Sequence, residues 1–329
     1  MKRITRNVII SAATAVGTLG AAAALGANGL FSFALDTKAP RSMFSPDRKA
    51  GADAAGAPFD DPEGAAAAAW FEEAKQPVTI VSDDDLLLHA WLFDPDCADP
   101  KPHLFAICCH GYTGEPAEMA RWAHRYARMG FTVLVPAQRA HELSEGRYVG
   151  MGWLERNDLL DWIRLVVDSD PQARILLHGN SMGAATVMMA AGDPRLPRNV
   201  VAAVEDSGYA SVTDQFTQVA RSMFRMPRAV ARLMVTLSSL VCRRRAGWRF
   251  EDASCTRALR HTTIPMLFVH GGADSFVSPS CLQRNHDACA SLDRQALLVP
   301  GAEHTMAAVA APEVYWRKVE RFVTRTFGL

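Results

Sequence analysis

Residues 175–178 form a short apolar run that leads through Gly179-Asn180-Ser181-Met182-Gly183 into a helix-forming stretch at residues 184–191. A serine in a G-x-S-x-G pentapeptide between a strand and a helix can hold its hydroxyl above a sheet, because small flanking residues permit the sharp turn. The pentapeptide alone is weak, since chance yields it in about one chain in ten at average glycine usage. The strand before it and the helix after it supply the specificity. The helix start also aims N–H groups at the place where an oxyanion would develop.

A serine hydroxyl is a poor nucleophile at neutral pH and needs a base, which a carboxylate must in turn orient. Asp274 closes the segment Met266-Leu267-Phe268-Val269-His270-Gly271-Gly272-Ala273-Asp274, and His304 follows Val299-Pro300-Gly301-Ala302-Glu303. Both lie just after apolar runs, at the carboxyl ends of strands, where ligands bind in open α/β sheets. The order serine, acid, histidine is the one that such a turn requires. Asp206, after the run at residues 200–204, is the alternative acid. Glu303 reads as solvated, and His110, His141, His178 and His270 as hydrogen-bonded structural histidines. For the oxyanion, the backbone N–H groups of Tyr112 and Met182 are the expected donors. Tyr112 lies in His110-Gly111-Tyr112-Thr113-Gly114, directly after an apolar run. Its phenol has two readings, a substrate contact or a rim aromatic packed on a cap.

These residues require a scaffold, and the alternation along the chain describes one. Short apolar runs occur at residues 78–81, 86–93, 104–109, 132–135, 175–177, 200–204, 265–269 and 296–299. Helical periodicity fits residues 117–129, 153–167, 184–191, 212–241, 280–290 and 312–327. Strands separated by helices predict an α/β domain over residues 77–329: a mostly parallel eight-stranded sheet with helices on both faces. Residues 211–262 interrupt the alternation as a helical cap insertion. There Val230, Leu233, Met234, Leu237, Leu240 and Val241 follow the spacing of one helix face. The same region holds ten arginines against only Asp214, Glu251 and Asp252. That excess reads either as a solvated face or as a cap that favours anionic substrates or an anionic membrane surface.

Across 329 residues, 35 Lys and Arg balance 35 Asp and Glu, so no global field points to nucleic acid. No Cys/His cluster has zinc-like spacing and no glycine-rich loop leads into Lys-Ser or Lys-Thr, so neither a metal nor a cofactor is expected. The seven cysteines are an odd number, and their pairing is not legible. At the N-terminus, Lys2, Arg3 and Arg6 precede an uncharged apolar stretch from Val8 to Leu35. Since roughly 20 apolar residues cross a bilayer, residues 1–35 are expected to be a single-pass membrane anchor, with the catalytic domain on the extracytoplasmic side. Small residues near positions 21–27 leave secretion after signal cleavage as the alternative. Residues 36–76, rich in Ala, Gly, Pro and Asp, are expected to be a tether with a short helix at residues 64–75.

Several motifs occur in one order: His110-Gly111-Tyr112-Thr113-Gly114, Tyr148-Val149-Gly150-Met151-Gly152-Trp153, His178-Gly179-Asn180-Ser181-Met182-Gly183, Glu205-Asp206-Ser207-Gly208-Tyr209, Arg245-Ala246-Gly247-Trp248 and His270-Gly271-Gly272-Ala273-Asp274. With them the chain resembles, over most of residues 78–329, bacterial membrane-anchored or cell-surface α/β-hydrolases of the serine aminopeptidase and prolyl oligopeptidase branch. The resemblance implies a Ser181–His304–Asp274 triad, oxyanion donors at Tyr112 and Met182, a helical insertion after the sixth strand, and no cofactor. One stretch departs from it. Ala137-Gln138-Arg139-Ala140-His141-Glu142 stands where members usually carry an Asp-x-Arg-Gly-His-Gly-like sequence. The expected activity is hydrolysis of a carboxylic ester or related acyl bond of a small molecule through an acyl-enzyme. A cell-surface peptidase is the alternative chemistry, and a membrane-tethered, non-catalytic binding protein is the alternative of another class.

Overall fold

In β3 (Leu104–Cys109), Leu104, Ala106 and Cys108 face one core while Ile107 and Cys109 face the other. This two-residue alternation, apolar on both sides, is the pattern of a strand covered on both faces. The computed structural model describes residues 21–45 and 61–329. Besides β3, its strands are β1 (Gln76–Val81), β2 (Leu87–Phe93), β4 (Thr132–Pro136), β5 (Arg174–Asn180), β6 (Val200–Asp206), β7 (Met266–Gly271) and β8 (Arg294–Val299). They form one eight-stranded sheet in the order β1-β2-β4-β3-β5-β6-β7-β8. The β1–β2 and β2–β4 pairs are antiparallel, and every later pair is parallel.

The helices are α1 (residues 21–35), α2 (Pro62–Ala74), α3 (Ala120–Arg128), α4 (Glu155–Ser169), α5 (Met182–Ala191), α6 (Val212–Met223), α7 (Arg228–Ala246), α8 (Cys255–Leu259), α9 (Ser280–Ala288), α10 (Ala307–Ala310) and α11 (Pro312–Phe327). One face of the sheet packs against α2, α3 and α11 through Phe71, Trp122, Tyr126 and Phe322. The other packs against α4 and α5 through Leu159, Ile163, Val187 and Met188. Burial of each side chain of this size stabilises the fold by about 1.5–3 kcal/mol. All seven cysteines are free thiols, six of them buried, where they pack as small apolar groups.

Two features differ from the sequence expectations. The helical stretch at residues 212–241 is broken into α6 and α7, because Pro227 has no N–H to continue a helix and stands at the N-cap of α7. In α7 the buried side chains are the small ones, Ala231, Val235, Ser238, Ser239 and Cys242. Val230, Leu233 and Leu240, on the apolar stripe, are exposed instead. The small face is needed because α1 lies against it.

That placement bears on the expected anchor. Ala27, Phe31 and Leu35 of α1 are buried, and the Ser238 hydroxyl donates to the Ala27 carbonyl at 3.1 Å. Arg245 lies 4.8 Å over the Phe31 ring, and Asp36 accepts from Arg147 and Arg245 at 3.0 and 2.5 Å. A side chain cannot both pack here and face lipid. A spanning helix over residues 1–35 therefore finds no support among the described residues, where no helix is long and apolar enough to cross a membrane. Residues 1–20 of that expectation lie outside the described residues, as do residues 46–60 of the expected tether. The rest of the tether is not free. Asp36 and Ser42 are buried, and α2, capped by the Asp61 carboxylate on the Gly64 N–H, packs through Phe71 onto Phe93.

Candidate active site

Ser181 occupies the turn between β5 and α5 with φ 56° and ψ −112°, a conformation L-residues avoid and tight packing must enforce. The packing is visible in its two glycines. A β-carbon on Gly179 would overlap the Gly183 carbonyl, and one on Gly183 would overlap the carbonyl of Cys109 in β3. The Ser181 N–H is held by the Asp206 carbonyl at 2.8 Å. Backbone alone thus fixes the turn from the strands on either side.

The Ser181 hydroxyl lies 2.8 Å from His304 Nε2, and His304 Nδ1 lies 2.6 Å from Asp274 Oδ2. With Nδ1–H donating to the carboxylate, Nε2 is left as the acceptor for the serine proton. Asp274 Oδ1 accepts from the N–H groups of Phe276 and Val277 at 2.9 and 2.8 Å, so both carboxylate oxygens are engaged. Burial opposes its charge. The bonds from His270 and His304 outweigh that and hold the carboxyl well below the usual carboxylate range.

The remaining candidates take other places. Asp206 accepts from the neighbouring Ser207 hydroxyl at 2.9 Å, while the imidazole of His304 is bound to Asp274. Glu303 is exposed. His178 is bound by the Tyr126 hydroxyl at 2.7 Å and Asn180 at 3.2 Å, and burial pushes it down to about 3. His110 Nε2 accepts from the Gln138 N–H, and His141 Nδ1 bonds the Arg139 carbonyl. The Tyr112 phenol donates to the Ala34 carbonyl of α1, so it is turned toward the N-terminal helix and its ring lines the cavity. Met182 is the first residue of α5, where N–H groups have no acceptor within the helix. The chain at Gly111 runs beside Ser181, a β-carbon there lying 3.5 Å from the Ser181 Cβ.

The stretch that departs from the family pattern is fixed by its own side chains. The Gln138 amide joins the His110 carbonyl to Thr186 of α5, at 2.5 and 3.0 Å. Arg139 forms a two-pronged pair with buried Asp158, at 2.7 and 2.5 Å, and a second with Asp84. Side-chain bonds do here what glycines do elsewhere.

His270 was assigned a structural role from sequence, and it stands against the acid. Its Nε2 lies 3.2 Å from Asp274 Oδ2 and bonds the Val277 carbonyl at 3.1 Å. The signal available was the i, i+4 spacing of His270 and Asp274. Behind it is Glu205, fully buried, whose Oε2 accepts from the Gly208 N–H at 3.0 Å. Burial pushes Glu205 up to about 8, against the opposing pull of His270 and that N–H. Its folded value thus exceeds its unfolded one, and the folded state keeps a proton that the unfolded chain releases. The contribution of this one group to stability is therefore fully present below the unfolded glutamate range and is lost as pH rises through about 8. Glu205→Gln removes this contribution. Urea melts at pH 5 and pH 8 should show a smaller loss for the variant than for wild type, and equal losses would refute the assignment.

A cavity opens from Ser181 between the domain, the cap and α1. Leu30, Phe31, Phe33 and Ala34 of α1 form one wall and Phe216, Val219, Ala220 and Met223 of α6 the other. Its lining is almost wholly apolar and includes Ser181. The sequence did not assign α1 to this wall.

No protein-family model matches the chain. Over 218 residues it is 23% identical to the uncharacterized protein YqkD of Bacillus subtilis strain 168, spanning 66% of this chain and 70% of that protein. Among solved structures it is similar to the Pyrococcus furiosus esterase Pf2001, with a TM-score of 0.59, 20% identity, and coverage of 76% of this chain and 92% of the esterase. It is also similar to XC6422 of Xanthomonas campestris, described as an α/β serine hydrolase without lid, at a TM-score of 0.53 and 18% identity over 77% of this chain and 94% of that one. These likenesses show the fold: residues of this chain adopt the α/β-hydrolase fold, with its mostly parallel eight-stranded sheet.

Proposed function

We propose that this protein is a serine hydrolase that cleaves a carboxylic ester, or a related acyl bond, of a small molecule with an apolar acyl group. The observation that carries the proposal is the run of short contacts from Ser181 through His304 to Asp274, at 2.8 and 2.6 Å, with Ser181 lining an apolar cavity. In this reading the Ser181 oxygen bonds to the carbonyl carbon of the substrate while His304 Nε2 takes the hydroxyl proton. Asp274 keeps the imidazole in the tautomer that can accept it. The carbonyl oxygen, now negative, is stabilised by the Met182 and Tyr112 N–H groups, each such donor contributing about 3 kcal/mol in comparable sites. Collapse of this intermediate breaks the bond to the leaving group, which takes the proton from His304. Water then repeats the sequence, releasing the acid and restoring Ser181.

The reading favours esters because the cavity offers apolar surface on the acyl side and no charged group to receive a free amine. Its test is labelling with a fluorophosphonate, which reacts with an activated serine. Wild type should label and Ser181→Ala should not, and a panel of acyl esters and aminoacyl amides then ranks the substrates. Folded wild-type protein that stays unlabelled would return the chain to a binding role.

A further inference from the structure

The cavity lining reaches the tip of the cap, where α6 turns into α7. Met223 and Phe224 there line the cavity, yet each is exposed by about half, at 52% and 43%. Phe224 meets Phe33 of α1 edge-on at 6.0 Å, so the rim joins the cap to the N-terminal helix. From this rim the outward stripe of α7 carries Val230, Leu233 and Leu240 into solvent. An apolar stripe turned outward while small side chains are turned inward is a surface awaiting a partner rather than a core helix.

The charge of the same element indicates which partner. Residues 215–250 contain eight arginines and no Asp, Glu or Lys. Arg221, Arg225, Arg228 and Arg232, around the tip, are all exposed, and none lies within ion-pair distance of a carboxylate among the described residues. Arg221, Arg228 and Arg232 line a polar cleft together with Thr217, Ser278, Asp214 and Asp274. Apolar side chains at a tip ringed by unpaired arginines match the boundary between acyl chains and anionic headgroups. The N-terminal side agrees. Gly26 abuts Met234, which places the start of α1 beside the first half of α7, with Leu25 exposed. The chain that leads into it is uncharged from residue 8 onward.

We propose that the tip of the cap, Met223 to Leu240, is a docking surface for an anionic lipid bilayer, and that acyl substrates enter the cavity from that surface. The second clause rests on the hydrolase reading above; the first stands without it. A bilayer seated there places the cavity mouth at the level of the acyl chains, so an apolar substrate passes to Ser181 without crossing water.

The test uses the full-length chain and vesicles of phosphatidylcholine, with and without phosphatidylglycerol. Sedimentation should show binding to the anionic vesicles that weakens as salt is raised. Arg228→Ala/Arg232→Ala should bind on the order of 30-fold more weakly, at the usual contribution of a basic residue near an anionic surface. Leu233→Glu/Leu240→Glu should bind more weakly still. Leu233 and Leu240 line neither the cavity nor the cleft beside Asp274, so hydrolysis of a short soluble ester should be unchanged in Leu233→Glu/Leu240→Glu. Wild type that ignores anionic vesicles, or variants that bind them like wild type, would overturn the proposal. So would an apolar stripe that holds two copies together, seen as a dimer that dissociates in Leu233→Glu/Leu240→Glu without lipid binding. Vesicle binding by a protein that hydrolyses no ester would retain the docking surface and discard the hydrolase reading.

Discussion

Ser181→Ala is expected to lower the kcat for ester hydrolysis by about 10⁴- to 10⁶-fold, with no comparable change in KM. In the proposed mechanism the oxygen removed is the one that bonds to the substrate carbon, so nothing nearby can replace it. The thiols of Cys108 and Cys109 are buried in β3, and burial pushes that of Cys109 up to about 12. His304→Ala should cost a similar factor, because the serine proton then has no acceptor. The double variant should be little worse than either single one, since the two residues act as a unit. Asp274→Asn is expected to lose about 10⁴-fold, through an imidazole held in the wrong tautomer. Steady-state kinetics on one activated ester decides all four. Factors that multiply in the double variant would mean that Ser181 and His304 act separately, and the mechanism would fail.

Gly183→Ala is expected to be the most damaging small change in the fold. The added methyl would occupy the space of the Cys109 carbonyl, a backbone atom in the middle of the parallel sheet. A flexible side chain could rotate away; β3 cannot move without opening its pairing with β5. Overpacking of this kind against immovable backbone costs about 3 kcal/mol or more, and the turn that shapes the nucleophile would be displaced with it. The variant should therefore lose both fluorophosphonate labelling and several degrees of thermal stability. Gly247→Ala makes the control, since a β-carbon there meets nothing within 4 Å and only the positive φ of 83° is strained. If Gly183→Ala labels like wild type, the tight turn does not position the serine.

The parts of the site that were legible in the sequence are those whose cause is local. The strand-to-helix turn at Ser181 is dictated by its own glycines and by the apolar runs beside it, and Asp274 and His304 follow because they sit just past strands. Residues whose role depends on distant partners were harder to read. Residues 21–35 carry no charged face, and on sequence alone an uncharged apolar helix is indistinguishable from one that meets lipid. Only the small residues of α7, more than 200 positions later, show what α1 packs against. For the same reason the stripe on α7 was legible only as one face of a helix: periodicity reports that a helix has two faces, not which one its neighbour occupies. The Tyr112 phenol was ambiguous because its acceptor, the Ala34 carbonyl, lies 78 residues earlier. His270 escaped notice as a neighbour of the acid because a histidine at a strand end has many ordinary partners.

The position of α1 has a consequence for the order of events during synthesis. The helix that forms one wall of the cavity leaves the ribosome well before Ser238 and Arg245, which hold it and follow 211 and 209 residues after their partners Ala27 and Asp36. At about 5–20 residues per second, that interval lasts roughly 10–40 seconds. Throughout it, an apolar helix preceded by three basic residues is presented without the cap that later covers it. The nascent chain thus keeps an apolar segment uncovered until α7 has been made, and the cavity gains this wall only at the end of that interval.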